Sequence, residues 1–109
     1  MAVYIKLLGQ ASVQQFGTEL YTVPAGKCAV IQTISLVNAR WPSSVGCNIY
    51  LITSTHTQQL SDLNVGLANG DQLVLNDIFT LGAGDKIKVD ASEHLMVDAV
   101  VCGVERDAF

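Results

Sequence analysis

Apolar and polar residues alternate with a period of two along much of this chain, and no stretch carries a convincing helical period. The stretch that organises the rest is LYTVPAGKCAVIQTISLVN, residues 20–38: a short extended entry, a tight turn and a long strand. Pro24 suits position i+1 of a type I turn and Gly26 its last position. Val30, Ile31, Thr33, Ile34 and Val37 are β-branched, which favours a pleated, half-buried surface over a helix. Cys28, Val30, Ile34, Leu36 and Asn38 share one parity and Ala29, Ile31, Thr33, Ser35 and Val37 the other, with the first set the more apolar. Both faces are partly apolar, so the strand is expected to be central.

The same pattern predicts the remaining elements. Residues 1–18 read as an N-terminal strand or arm and a polar loop, either packed on their own sheet or reaching to a neighbouring subunit; residues 19–109 read as the sandwich proper. Residues 19–23 are extended. ARWPSSVG (39–46) is a turn region, and residues 47–54 form a strand in which Cys47, Ile49, Leu51 and Thr53 alternate with Asn48, Tyr50, Ile52 and Ser54, one of the two faces going to the core. Residues 55–59 read as a loop, and 60–67 as a weak segment. LANGDQLVLND and LGAGDKIKVDA, 14 residues apart, each place a Gly-Asp turn before an alternating strand, and VPAGKCAVI repeats the idea. A phase shift after Leu75 suggests a bulge near Asn76 and Asp77. Ile87 and Val89 alternate with Lys86, Lys88 and Asp90, which leaves one wet face, and LMVDAVVCGV is the last long strand. The count of about seven to eight strands, with turn signals every 8 to 14 residues, predicts an all-β chain: a single antiparallel β-sandwich of jelly-roll type, with a small closed barrel as the alternative.

Composition narrows the function. With 109 residues, half of them hydrophobic and only 15% charged, the chain is expected to cover much of its surface with its own second sheet or with neighbours. A net charge of −4 argues against the clustered basic surface that nucleic acid requires. The acids concentrate from Asp62 onward, nine against Lys86, Lys88 and Arg106, or −6, while the first part carries +2. They suit solvated turns and strand edges, where they oppose edge-to-edge pairing. Cys28, Cys47 and Cys102 leave at least one thiol unpaired and read as small core hydrophobes in a reducing compartment. MAVYIKLLGQ has no signal-peptide pattern and no window approaches a membrane span, so the chain is expected to fold in a cytoplasm.

No metal, cofactor or catalytic constellation is visible. His56 and His94 stand 38 residues apart in polar loops, without Cys-x-x-Cys, His-x-x-x-His, a phosphate loop or a nucleophile elbow. Asp71 and Asp85 follow turn glycines but lack the dense oxygen run of a calcium loop, so turn capping is preferred. Arg40, Trp41 and Pro42 are the candidate interface residues, because the sole tryptophan sits beside an arginine in a loop; the alternative is an indole that caps the open end of the core. Phe109, at the chain end, is a further candidate.

The segment LYTVPAGKCAVIQTISLVN, followed by CNIYLI, LGAGDKIKV and a closing VVCGVE, resembles a group of short proteins encoded by tailed bacteriophages, many of which begin with an extended piece ending in LGQ, as LLGQ does at 7–10. The Arg-Trp-Pro tip departs from the blander loop of that group. The resemblance implies a non-enzymatic virion structural protein: a capsid decoration or cement protein bound to the major capsid protein, or a tail, baseplate or fibre component that recognises a receptor or glycan. It implies a homo-oligomer, a trimer by analogy, at the capsid surface or tail, with other virion proteins as partners and neither nucleic acid nor membrane. A carbohydrate-binding module is a further alternative, although the aromatics are scattered rather than gathered on one face.

Overall fold

A computed structural model describes residues 6–15, 17–60, 65–76 and 79–107. The strands are β1 (Lys6–Ser12), β2 (Thr18–Thr22), β3 (Lys27–Asn38), β4 (Val45–Ile52), β5 (Thr57–Gln59), β6 (Val65–Leu67), β7 (Gln72–Leu75), β8 (Phe79–Leu81), β9 (Lys86–Ala91) and β10 (Val97–Asp107). One sheet has the order β1-β10-β3, with β7 and β8 in tandem along the far side of β3. The other has the order β2-β9-β4, with β5 and β6 in tandem along β4. All pairings are antiparallel. Counting each tandem pair as one position gives eight positions in orders 1-8-3-6 and 2-7-4-5, which is the jelly roll. The all-β sandwich expected from the sequence is therefore the observed fold. The described residues form ten strands rather than seven to eight because two of the eight positions are each made of two short strands.

The three Gly turns share one geometry. Lys27 N–H donates to the Pro24 carbonyl, Asp71 to Ala68 and Asp85 to Gly82, at 3.2, 2.8 and 3.1 Å. Gly26, Gly70 and Gly84 occupy the third position with φ of 77°, 84° and 86°. That is the type II pattern, in which the third residue must reach positive φ. VPAG is therefore offset by one from the type I turn expected: Pro24 is position i. Each of the three turns carries the chain from one sheet to the other.

β3 does not keep the parity read from its sequence. Cys102 pairs with Thr33 but Gly103 pairs with Ile31, so Gln32 is an extra residue on β3. The bulge switches the inward set from Ala29 and Ile31 to Ile34, Leu36 and Asn38, all 0% exposed. Gly103 makes this possible, because a Cβ there would run into the Val30 carbonyl oxygen. A Cβ on Gly9 would likewise strike the Leu20 carbonyl, where β1 of one sheet lies against β2 of the other. The core between the sheets is aliphatic, its largest fully buried members being Ile31, Ile34, Leu36, Ile49, Leu81 and Ile87. Full burial of each stabilises by about 1.5–3 kcal/mol. At one rim Tyr21 donates its hydroxyl to Glu105 Oε2 at 2.6 Å, joining the two sheets. Burial and that carboxylate hold the phenol well above its usual pKa.

Other expectations divide. Ile87 and Val89 face the core, as their alternation with charged residues required, and on β4 the inward set is Cys47 and Ile49, with Leu51 packed against the core. The three cysteines are free, but only Cys47 is a core residue, its thiol pushed up to about 11 by burial and by Asp90. Cys28 and Cys102 are half-buried on the outer face of the first sheet, because the bulge and the register of β10 turn them outward. Residues 57–59, expected as loop, form β5, since pairing with Tyr50, Leu51 and Ile52 overrides their polar character. Of the N-terminal segment, residues 6–12 pack on the chain's own sheet as β1, alongside β10, while residues 1–5 lie outside the described residues. Past Leu75, Phe79 and Leu81 continue the inward set, while Asp77 and Ile78 lie outside the described residues.

Gly103→Ala is expected to cost about 1–3 kcal/mol or more, because the clash is with backbone and cannot be relieved by a rotamer. Gly66→Ala, which meets nothing within 4 Å, is expected to change stability by no more than about 0.5 kcal/mol. Urea unfolding of the two variants beside the parent measures the difference.

Candidate interaction site

The β1–β2, β3–β4, β6–β7 and β9–β10 connections gather at one end of the sandwich, since Ser12 pairs with Asp98, Val97 with Asn38 and Val45 with Leu67. Asn38 holds this end together. Its side chain is fully buried, and its Nδ2 lies 3.1, 2.9 and 3.0 Å from the carbonyl oxygens of Trp41, Ser43 and Leu67. Its Oδ1 accepts the Trp41 N–H at 2.9 Å. The Asn38 backbone binds Asp71 O and Gly70 N, and Asn69 Nδ2 reaches the Trp41 carbonyl at 2.9 Å. A primary amide is needed here, because the site requires one acceptor and a donor shared among three carbonyls.

The second anchor is ionic. The Arg40 guanidinium binds both carboxylate oxygens of Asp98, at 3.0 and 3.1 Å, and donates to the Leu95 carbonyl at 3.2 Å. Ser12 Oγ donates to the same carboxylate at 3.0 Å. Arg40 chiefly holds the Asp98 carboxyl below its usual pKa; burial opposes it, and Ser12 adds a smaller lowering effect. Leu95 stands at φ 60°, left-handed for a branched residue, with 41% of its surface exposed. Its N–H donates to Val13 O, and Gln15 N–H reaches His94 Nδ1 at 3.4 Å, so the β1–β2 and β9–β10 connections are stitched together.

Three of the four residues singled out in the sequence therefore share one loop, each in a different setting. Arg40 is committed to Asp98. Trp41 is half-buried and packs on the core, with its backbone held by Asn38. Pro42 is exposed at the tip. Phe109 lies outside the described residues. Sequence reading missed Asn38, Asp98 and Leu95; the available signal was an asparagine closing an apolar run just before a loop. Asp71 and Asp85 cap their own turns, accepting the N–H of Ala68 and of Gly82 at 3.2 and 2.9 Å. His56 belongs to the β4–β5 turn at the opposite end from His94. Among the described residues no group of three His, Cys, Asp or Glu side chains is placed to hold a metal, and no helix is long and apolar enough to cross a membrane.

No family model matches the chain, and no curated protein does. Its fold is similar to part of a chain in the structure of infectious bursal disease virus, Gx strain: 16% identity and a TM-score of 0.54 over 95% of this chain and 31% of that one. It overlaps more loosely with a pentameric capsid protein isolated from metagenomic phage sequences, at 17% identity and a TM-score of 0.46 over 94% of this chain and 62% of that one. The chain thus spans about a third of the first protein's length and under two thirds of the second's. At these identities the likeness is one of fold.

Asn38→Asp is expected to destabilise at neutral pH by more than Asn38→Ala, because it sets a carboxylate against three carbonyl oxygens; each polar group left buried and unpaired costs about 1–3 kcal/mol. Unfolding at pH 7 and at low pH, where the acid is protonated and can donate, separates charge from lost packing. The depressed Asp98 pKa means that its pairing contributes fully above the unfolded value near ~3.9 and is lost as pH falls through the lower folded value. Arg40→Ala is expected to remove about 0.2–1 kcal/mol near neutral pH and to flatten this part of the acid limb in a pH series of unfolding midpoints.

Proposed function

We propose that the chain is a non-enzymatic virion structural protein, a capsid decoration or cement protein whose work is contact with the major capsid protein. The observation that carries this reading is the jelly roll itself, which occupies nearly the whole chain and is similar in fold to part of a chain in a virus structure. Jelly rolls recur in viral capsids and in lectins. The phage-protein resemblance of residues 7–105 favours the first. The interlocked loop end suits a contact surface: Pro42 and Leu95 are exposed, Trp41 is partly so, and Asn38 and Arg40 hold their backbones in place. Holding an exposed leucine at positive φ costs about 1–2 kcal/mol, and such strain concentrates where a surface is used. Repetition of modest contacts over a symmetric shell supplies avidity.

A tail, baseplate or fibre location is the second reading, carried by the same fold and loops. Immunogold electron microscopy on virus particles from the source culture, with antibody against the recombinant chain, tests both. Uniform label over heads is the expected result. Label confined to tails replaces the decoration reading with the second, and particles without label overturn both. Pro42→Glu and Leu95→Glu, both at exposed positions, are expected to leave unfolding midpoints nearly unchanged while lowering retention of added protein on particles at least about tenfold, read by co-sedimentation.

A further inference from the structure

The two outer faces of the sandwich differ in kind. The outer face of the β2-β9-β4 sheet carries Glu19, Lys86, Lys88 and Asp90, with Lys86 and Glu19 paired at 2.9 Å. The outer face of the β1-β10-β3 sheet is built from short, mostly uncharged side chains, among them Val30, Thr33 and Ser35 on β3. Leu7 on β1 and Val74 on β7 are 50% and 43% exposed on it.

Along β10, at the middle of this face, the outward residues are Asp98, Val100, Cys102, Val104 and Arg106. That series is self-complementary about Cys102: a valine stands two residues to either side, and opposite charges stand four residues to either side. Asp98 is held by Arg40 and Ser12, whereas Arg106 has no ion pair among the described residues.

We infer that this face binds a second copy of the chain, stacked face to face about a two-fold axis that crosses β10 at Cys102. Such an axis reverses the strands and sets Val100 over Val104 and Arg106 over Asp98 of the second copy. Leu7 and Thr33, the register partners of Cys102 on β1 and β3, lie in the same row and meet their own equivalents across the axis. A depression of about 470 Å³ lined by Gln10, Ser12, Asp98 and Val100 receives Arg106 of the second copy. The area fits a modest dimer: with β1, β10, β3, β7 and β8 of 7, 11, 12, 4 and 3 residues, the face covers about 600 Å² per copy, at the low end of the roughly 600–1,000 Å² per partner of a stable interface. On the opposite face Tyr50 and Ile52 stand beside Lys88 and Lys86, so its apolar surface is broken up by charge. Self-association belongs to the free chain, so it stands or falls separately from the virion reading.

Sedimentation velocity over the micromolar range, combined with a short bifunctional maleimide under reducing pre-treatment, tests the pairing. The expected result is a concentration-dependent dimer whose covalent cross-link is abolished by Cys102→Ser and retained in Cys28→Ser. Leu7→Glu, at an exposed position, sets two like charges together across the axis and is expected to weaken the dimer at least about tenfold. Thr57→Glu on the opposite sheet is expected to leave it unchanged. A monomer throughout that range, a closed ring larger than a dimer, a cross-link that survives Cys102→Ser, or a dimer indifferent to Leu7→Glu overturns the inference.

Discussion

β3 buries Ala29 and Ile31 at one end and Ile34, Leu36 and Asn38 at the other only because Gln32 stands unpaired against β10. In a regular strand a fixed parity would have placed one of those sets in solvent. Since β3 is flanked by β10 on one side and by β7 and β8 on the other, its register sets theirs. Two close backbone approaches keep this arrangement in place. Gly103 admits the Val30 carbonyl beside the bulge, and Gly9 admits the Leu20 carbonyl where the two sheets meet at a corner. Both positions are governed by what the chain excludes rather than by what a side chain contributes.

The loop end follows from the same register. With the parity shifted by one residue, Asn38 arrives on the inward face at the last rung of β3, where an apolar side chain would leave the carbonyls of Trp41, Ser43 and Leu67 without a donor. The amide therefore converts the end of a strand into the anchor of two connections. Arg40 does the same for the β9–β10 connection through Asp98 and Leu95 O. What is left to face outward, Pro42, Leu95 and part of Trp41, is presented on backbone that has little freedom left. A rigid contact surface loses less entropy when it binds.

The outer faces show how a chain with so few charges divides them. The sheet with Lys86, Lys88, Asp90 and Glu19 is wet, and the other presents valine, threonine, serine and cysteine. Low charge, a high apolar fraction and an asymmetric pair of faces are the features of a protein that works through surface area. They agree with the proposed structural role and give it a direction on the molecule.

Much of this was legible in the sequence, and the limits are physical. Period-two alternation, β-branched runs and glycine turns determined an all-β sandwich, and for β9 they determined which residues face inward, because β9 runs unbulged against β4 and its outward positions are charged. The loop bearing Arg40, Trp41 and Pro42 was legible from composition. The sequence could not place the bulge at Gln32, because a bulge depends on the partner strand, here on Gly103 some 70 residues away in the chain. For the same reason it could not show that Cys28 and Cys102 face outward, that polar residues 57–59 pair with β4, or that Arg40 meets Asp98. Alternation reports only the local pleat. Tertiary structure decided which two strands share a rung, and with that the face each side chain serves.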